Sequence, residues 1–167
     1  MFQDATSFNQ NIGVWNMTSV NNVTSMLEGA LSFNQNITTW DISNITNMSS
    51  LFKNLTVFDQ PIEVWNMSGV QNMSSMFENF STFNRDITRW NVSGATNMEG
   101  MFKQAVSFNQ DISKWNVSKV VNMNEMFNGA GLFNQTIQYW LLTNEVGVPT
   151  FVNMLANSGL VDNNYGL

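Results

Sequence analysis

Apolar residues recur along this chain at intervals of 25 residues, with no insertion or deletion between them over residues 8–140. We call positions that share this spacing a column. Three columns define the repeat: Phe8, Phe33, Phe58, Phe83, Phe108 and Phe133; Ile12, Ile37, Ile62, Ile87, Ile112 and Ile137; and Trp15, Trp40, Trp65, Trp90, Trp115 and Trp140. Because a unit this short cannot bury its apolar residues alone, the pattern predicts a repeat architecture in which neighbouring units cover one another.

The pattern around each Trp predicts a strand. The Trp and the residue two places later alternate with polar neighbours, as in Trp40, Asp41 and Ile42. We therefore expect short parallel strands that stack about 4.8 Å apart. Apolar residues around 76–80 have the spacing of one helical or 3-10 turn. Together these features predict a repeat solenoid with short parallel β-strands and one such turn per 25-residue coil.

The repeats divide the chain into two parts. Residues 1–140 hold six repeats, and the array begins mid-repeat because Met1 and Phe2 align with Met26 and Leu27. Beyond residue 140 the columns break down, and Pro149 lacks the main-chain donor that a regular ladder needs. We expect residues 141–167 to form a divergent C-terminal cap.

Composition narrows the chemistry. The 167 residues include no His and no Cys, which removes the usual metal ligands, the imidazole base, the thiolate nucleophile and disulfides. A net charge of -6 disfavours nucleic acid as a partner, and no apolar run is long enough to insert in a membrane. We expect neither an enzyme nor a bound cofactor or metal.

One charged column supports the alignment of neighbouring units. Glu28, Lys53, Glu78 and Lys103 alternate in sign along it. Stacked units would place opposite charges side by side, although exposed pairs of this kind contribute only about 0.2–1 kcal/mol each. A solvated row of unpaired charges is an equally good interpretation.

The unit at residues 101–123, MFKQAVSFNQDISKWNVSKVVNM, resembles the repeat of BspA-like leucine-rich-repeat surface proteins. The resemblance covers residues 1–140 in phase, and residues 154–165 are similar to the segment that closes such arrays. Leu27, Asp59, Pro61 and residues 141–150 depart from the pattern without touching the core columns. The resemblance implies a leucine-rich-repeat-like fold, an extracellular or cell-surface location, and an adhesion or matrix role without enzymatic activity.

Asn residues suggest two different roles. The chain contains 27 Asn and twelve Asn-x-Ser/Thr sequons. One column keeps Asn where the Ser or Thr is lost, so we interpret it as a structural ladder of turn-forming amides: Asn22, Asn47, Asn72, Asn97 and Asn122. The best acceptors for N-glycosylation in a eukaryotic secretory pathway lie in variable columns, with the residues after each Trp ranked second: Asn36, Asn44, Asn54 and Asn79, then Asn16, Asn66, Asn91 and Asn116.

A pair of Asp residues and the Trp column could each form a functional site, but each also has a structural interpretation. Asp86 and Asp111 are one repeat apart, which would bring two carboxylates together as in acid-base catalysis, but their column also contains Asn, Pro and Thr. The Trp column would offer a sugar-stacking platform if it were exposed, yet its phase with the Ile column favours the core.

We expect a non-enzymatic extracellular or cell-surface structural or adhesive repeat glycoprotein, with head-to-tail assembly into a fibre as one form. The partners would then be further copies of the chain, or an extracellular protein or glycan. The alternative is a binding module that recognises a protein or glycan through a variable face of the array. The column containing Thr39, Val64, Arg89, Lys114 and Tyr139 varies enough to form such a face.

Overall fold

Each repeat is a string of hydrogen-bonded turns. The computed structural model describes residues 1–138, Trp140 and residues 149–160. In the first full repeat, the main-chain N–H of Trp15 donates to the Ile12 carbonyl at 3.1 Å, and that of Val20 donates to Met17 at 2.9 Å. Three further turns close in the same way, with N–H groups that donate from Met26 to Val23 O, from Ala30 to Leu27 O and from Phe33 to Ala30 O. The apolar columns are therefore the first and last residues of successive turns, which direct their side chains into one core.

Regular secondary structure is sparse. The described residues contain 3-10 helices at Ile62–Val64 and Met67–Gly69, and neither an α-helix nor a β-strand. Parallel pairing is limited to isolated bridges, one between each unit and the next: Asn22 with Asn47, Asn47 with Asn72, Asn72 with Asn97, Asn97 with Asn122, and Asn122 with Thr150.

The predicted strand-based, leucine-rich-repeat-like solenoid is therefore wrong. The segment at each Trp does not form a strand, because the Trp N–H closes a turn with the Ile three residues earlier and does not pair with a neighbouring coil. The alternation around Trp arises where one turn ends at Trp15 and the next begins at Met17. Two residues of period-two pattern are too few to distinguish a strand from adjoining turns.

The predicted helical turn is also wrong in the segment where we placed it. Ser75 and Asn79 have φ values of 54° and 57° there, in the left-handed region. Each is the third residue of a four-residue turn, as type II turns require, and a left-handed residue ends any helix at that point. In the described chain all positive φ values fall in these two structural positions: Ser25, Ser50, Ser75, Gly100, Glu125 and Asn153; and Asp4, Gly29, Asn54, Asn79, Gln104, Gly129 and Asn157.

Successive 25-residue units, here called coils, lie directly on one another. The N–H of Val23 donates to Asn47 O at 3.0 Å and that of Ser25 to Ser49 O at 2.9 Å, and the same bonds recur at each later interface. Side chains of one column stack, with ring centroids 6.3 Å apart for Trp40 and Trp65. The hydrophobic core is continuous and consists of the apolar columns inside the stack.

Residues 149–160 continue this stacking with a longer spacing. Asn122 bridges to Thr150, and the N–H of Phe127 donates to Met154 O at 2.8 Å, so each spacing is three residues longer than that of the equivalent bond between interior coils. Most of the predicted cap lies outside the described residues, namely 141–148 and 161–167, as does Tyr139.

Candidate functional surfaces

The Trp ladder is buried at every coil except the first. Trp40, Trp65, Trp90, Trp115 and Trp140 have relative exposures of 3–4%, whereas Trp15 has 37%. The indole Nε1 of Trp40 donates to Ile12 O at 2.9 Å, and Trp65, Trp90 and Trp115 repeat this bond to the coil before them. The interior Trp rings therefore pack in the core and offer no exposed face to a sugar.

The carboxylates of Asp86 and Asp111 both accept hydrogen bonds within local turns. The Asp86 Oδ1 accepts from the Thr88 hydroxyl at 2.7 Å and from its N–H at 3.0 Å, and Ser113 N–H donates to Asp111 at 3.1 Å. These side-chain and main-chain hydrogen bonds hold the pKa of each carboxyl below its ordinary value. A carboxyl with a lowered pKa is ionised at neutral pH, which is unsuitable for a general acid.

The Asn ladder closes turns within each coil. The Asn22 Oδ1 accepts from the N–H of Thr24 at 2.9 Å, and the other four Asn side chains accept from the N–H two residues on at 3.0 Å. At Asn97 and Asn122 the donor belongs to Glu99 and Asn124, so the bond needs no hydroxyl side chain. The turn holds the Asn in place for the main-chain bridge to the next coil.

The structure separates the sequon residues by the state of their side-chain nitrogen, which is the atom that a glycan modifies. Asn44 Nδ2 donates to Thr18 O at 2.8 Å, and Asn79 Nδ2 donates to Asn54 Oδ1 at 2.9 Å. Asn36 is exposed and uses its Oδ1 to accept from Thr38. The exposed residues after each Trp accept in the same way, through Oδ1: Asn16, Asn66, Asn91 and Asn116.

The charged column pairs in part. Lys53 lies 2.9 Å from the Glu78 carboxylate, whereas Lys103 pairs with Glu125 of another column. The hydrogen bond to Glu125 raises the pKa of Lys103, while desolvation opposes that change. Glu28 accepts from Gln3 at 3.2 Å. Stacked coils thus do place some opposite charges together, but not as one alternating row.

Sequence reasoning missed a second polar ladder, next to the Phe column. The Asn9 Oδ1 accepts from the N–H of Asn34 at 3.0 Å and from Gln35 Nε2 at 3.0 Å in the next coil, and the later coils repeat this pattern. At one rung the Asn is replaced by Asp59 and the facing Gln by Arg85, whose Nε lies 2.7 Å from the carboxylate. The sequence signal that could have revealed this ladder is the paired change in adjoining repeats, in which Asp59 replaces Asn and Arg85 replaces Gln.

The surface of the stack carries depressions, of which two are described here by their lining residues. The larger, of about 560 Å³, lies over the uncovered side of the first coil, and Met1, Val14, Trp15 and Val20 are among its lining residues. A smaller one of about 260 Å³ lies where the second and third coils meet, beside Thr38, Asp41 and Val64. Val14 and Val64 are 83% and 63% exposed, and Thr39, Arg89 and Lys114 of the same column are also exposed.

The described residues contain neither a group of three or more potential metal ligands nor a helix long and apolar enough to span a membrane. A family model described as a Mycoplasma protein of unknown function, DUF285, matches residues 1–80 and again residues 52–165. Comparisons with curated proteins and with solved structures gave no match. The two family matches overlap over residues 52–80, little more than one coil, as expected of a model that aligns in more than one phase with a repeated sequence.

Proposed function

We propose that this chain, which belongs to the DUF285 family of Mycoplasma proteins of unknown function, is a non-enzymatic structural or adhesive array outside the cell. The observation that carries the proposal is the use of the repeated polar side chains. In coil after coil they close turns or bond the next coil, as Asn22 and Asn9 do. Such a surface supports the stack and leaves few polar groups aimed at a common reaction centre.

The carboxylates support the non-enzymatic part of the proposal. Asp41, Asp86 and Asp111 each accept hydrogen bonds from the residue two places on, which lowers their pKa. Acid-base catalysis by two carboxyls needs one of them protonated near neutral pH. Neither Asp86 nor Asp111 has an environment that favours protonation.

The location rests on sequence features. The sequons and the resemblance to BspA-like surface proteins both favour an exported chain. Antibody labelling of intact and permeabilised source cells tests it, and equal labelling is expected in both. Labelling that requires permeabilisation would contradict the proposal. If the chain is made in a eukaryotic secretory pathway, glycosidase should lower its intact mass, and Asn36 should be modified more fully than Asn44, whose Nδ2 is hydrogen-bonded.

Head-to-tail growth into a fibre requires a rearrangement at the joint. Met154 occupies the place of the Met1 column, because Phe127 N–H donates to it as Phe102 N–H donates to Met126. Residues 154–160 of one copy and residues 1–7 of the next would therefore compete for the same positions. A fibre is part of the proposal only if one of these segments is displaced, and electron microscopy at high concentration distinguishes fibres from single particles.

A second candidate, the binding module, is favoured by the 260 Å³ depression beside Val64. It combines an exposed apolar residue with the polar side chains of Thr38 and Asp41, and it adjoins the exposed column that continues to Arg89 and Lys114. A net charge of -6 favours a protein or glycan partner over a nucleic acid. A glycan-array screen that detects a ligand with the native chain, and loses it with Val64→Asp, would support this candidate over the purely structural one.

A further inference from the structure

The repeat is least regular beside the smaller depression, where the second and third coils meet. Pro61 stands in a column that holds Asn or Asp in the two neighbouring coils, and Asp41 is the one acid in a column that otherwise holds Asn from residue 16 to residue 116. The 3-10 helices of the described chain, Ile62–Val64 and Met67–Gly69, both follow Pro61. The Phe, Ile and Trp columns continue through these coils unchanged. These departures therefore alter the surface of the stack and not its core.

Pro61 removes a side-chain hydrogen bond that closes a turn in the adjoining coils. In the second coil Asn36 Oδ1 accepts from the N–H of Thr38 at 2.9 Å, and the fourth coil repeats this bond with Asp86 as the acceptor. Proline has no side-chain acceptor, so the third coil does not close this turn in the same way, and the 3-10 helix Ile62–Val64 takes its place. The surface backbone of the third coil therefore differs from that of its neighbours at the depression.

Val64 gives the depression an exposed apolar wall, since it lines the depression and is 63% exposed. In the second coil the same column holds Thr39, whose hydroxyl donates to Gly13 O of the coil before at 2.7 Å. Val64 has no hydroxyl, so it cannot make the equivalent bond to Thr38 O. The replacement of Thr by Val thus leaves apolar surface where the preceding coil has a polar link.

Asp41 and Asn66 place a hydrogen-bond acceptor beside a donor. They occupy successive positions of one column, line the depression and are both exposed. Asp41 Oδ1 accepts from Ser43 N–H at 3.0 Å, and Asn66 Oδ1 accepts from Ser68 N–H at 3.2 Å, so both side chains are oriented by their own turns. Hydrogen bonds from Ser43 also lower the pKa of Asp41, and its ionised carboxylate only accepts. Asn66 Nδ2 donates to no group among the described residues and remains for a ligand.

The size of the site suits one sugar ring. The rings directly before the pair, Trp40 and Trp65, have centroids 6.3 Å apart, which sets the scale of the separation between the carboxylate and the amide. A gap of this order admits two neighbouring hydroxyls, each about 2.7–3.0 Å from its partner. The volume of about 260 Å³ lies just below the roughly 300–1,000 Å³ of sites for drug-sized ligands.

The combination of partners selects hydroxyl groups over charged groups. A hydroxyl both donates and accepts hydrogen bonds, whereas an ammonium or guanidinium group only donates. A cation would use Asp41 and leave the Asn66 amide unmatched, and an anion would be repelled by Asp41. Two adjacent hydroxyls use both side chains, and Val64 offers apolar surface to the C–H groups of the same ring. A pyranose carries all of these groups in one ligand.

We propose that this depression binds one pyranose ring of a glycan, with Asp41 accepting from one hydroxyl, Asn66 donating to the next and Val64 against the C–H groups of the ring. The proposal rests on the binding-module candidate and specifies its ligand class and contacts. Because the ligand is small and the site is exposed, the Kd for a single ring should be on the order of 1 mM.

The probes are the methyl pyranosides of glucose, galactose, mannose and fucose. Each is titrated into the full chain labelled with ¹⁵N and made in a bacterial host that leaves the Asn66 sequon unmodified. We expect saturable shifts of the Asn66 side-chain amide and of the Ser43 N–H with at least one of these sugars. The equivalent groups of Asn91 and Ser93, which lie outside the depression, should not shift.

Two substitutions test the assigned contacts without removing a turn. Asp41→Asn keeps an oxygen acceptor for Ser43 and should weaken binding by about tenfold, because a hydrogen bond to a charged acceptor becomes one to a neutral acceptor. Asn66→Asp keeps the acceptor for Ser68, removes the donor and should abolish measurable binding. Asp86→Asn makes the same change as Asp41→Asn in a turn outside the depression, and as the matched control it should leave the affinity unchanged.

The outcomes separate this proposal from the functions on which it depends. If none of the four sugars saturates at roughly 50 mM, the proposal is overturned and the structural array is unaffected. If a sugar binds the native chain, Asp41→Asn and Asn66→Asp equally, the assigned site is overturned while the binding module stands. Thermal unfolding of each variant checks that the stack remains folded.

Discussion

The interior coils and the first coil carry the same residue columns, but the side chains in those columns are buried to different extents. A Trp in an interior coil is covered by its neighbours and donates its indole N–H to the preceding coil, as Trp90 does to Ile62 O at 3.1 Å. Trp15 has neither the cover nor the bond. Burial in this protein is therefore a property of the interface between two coils, which is the behaviour expected when stability is a sum of nearest-neighbour terms.

The strongest test of this comparison is truncation of equivalent Trp residues. Trp90→Ala removes a ring that is 97% buried, and should lower the free energy of unfolding by about 3–5 kcal/mol through lost burial and a cavity. Trp15→Ala should cost about 1–2 kcal/mol, because much of that ring is already in contact with water. Urea denaturation of the two variants measures the difference, and equal losses would show that position in the stack does not determine burial.

A second test uses two glycines of one column. A Cβ at Gly94 would lie 2.5 Å from Ser68 O of the coil below, whereas a Cβ at Gly69 would meet Ser43 O at 3.4 Å. Gly94→Ala must push a main-chain carbonyl aside and should cost about 1–3 kcal/mol. Gly69→Ala should change stability by less than this. Comparable losses in thermal unfolding would contradict the close approach of the coils at Gly94.

These interfaces explain what the sequence predicts and what it does not. Stacking by column follows from the unbroken spacing of Phe, Trp and Ile, and the Asn-x-Ser/Thr pattern indicates side-chain-closed turns. The pairs Ile12 with Trp15 and Met17 with Val20 are also three apart, which is the signature of the turns that close there. We interpreted the two-residue gap between those pairs as a strand, because local alternation over so few residues does not separate the two structures.

The left-handed positions were harder to anticipate. Gly29, Asn54 and Asn79 are residue types that adopt positive φ readily, so that column carries a signal. Ser25 and Glu125 do not, and their conformation is imposed by the bonds to the next coil.

The left-handed column gives the third test. Ser75 has a φ of 54°, and Gly100 occupies the same position one coil later. Ser75→Gly relieves a backbone cost of about 1–2 kcal/mol and adds about 0.5–1 kcal/mol of chain entropy, so a net gain of roughly 0.5 kcal/mol is expected. The neighbouring Ser74→Gly lacks this relief and should be destabilising. A loss of stability in both variants would show that the bonds to the next coil compensate the strain at Ser75.

The fourth test concerns the single charged rung of the Asn and Gln ladder. Asp59→Asn with Arg85→Gln restores the amide pair found at the other rungs and should leave stability nearly unchanged. Each single change leaves a charged side chain facing an amide. A double-mutant cycle should therefore give a coupling energy of about 0.2–1 kcal/mol, in the range of exposed ion pairs. A coupling of zero would mean that the ion pair adds nothing to the alignment of coils three and four.

The smallest effect is expected from pH. The Thr88 and Ser113 hydrogen bonds lower the pKa of Asp86 and Asp111 in the folded chain, so each contributes stability that is present above the unfolded pKa. That contribution is lost as pH falls through the folded pKa, below the ordinary Asp value. Asp111→Asn keeps an oxygen acceptor for Ser113, as Asn36 does for Thr38, but does not titrate. The melting temperature should therefore fall less steeply with decreasing pH for Asp111→Asn than for the native chain. Identical slopes for the native chain and Asp111→Asn would show that the turn gains nothing from the charge and that an amide serves it equally at every coil.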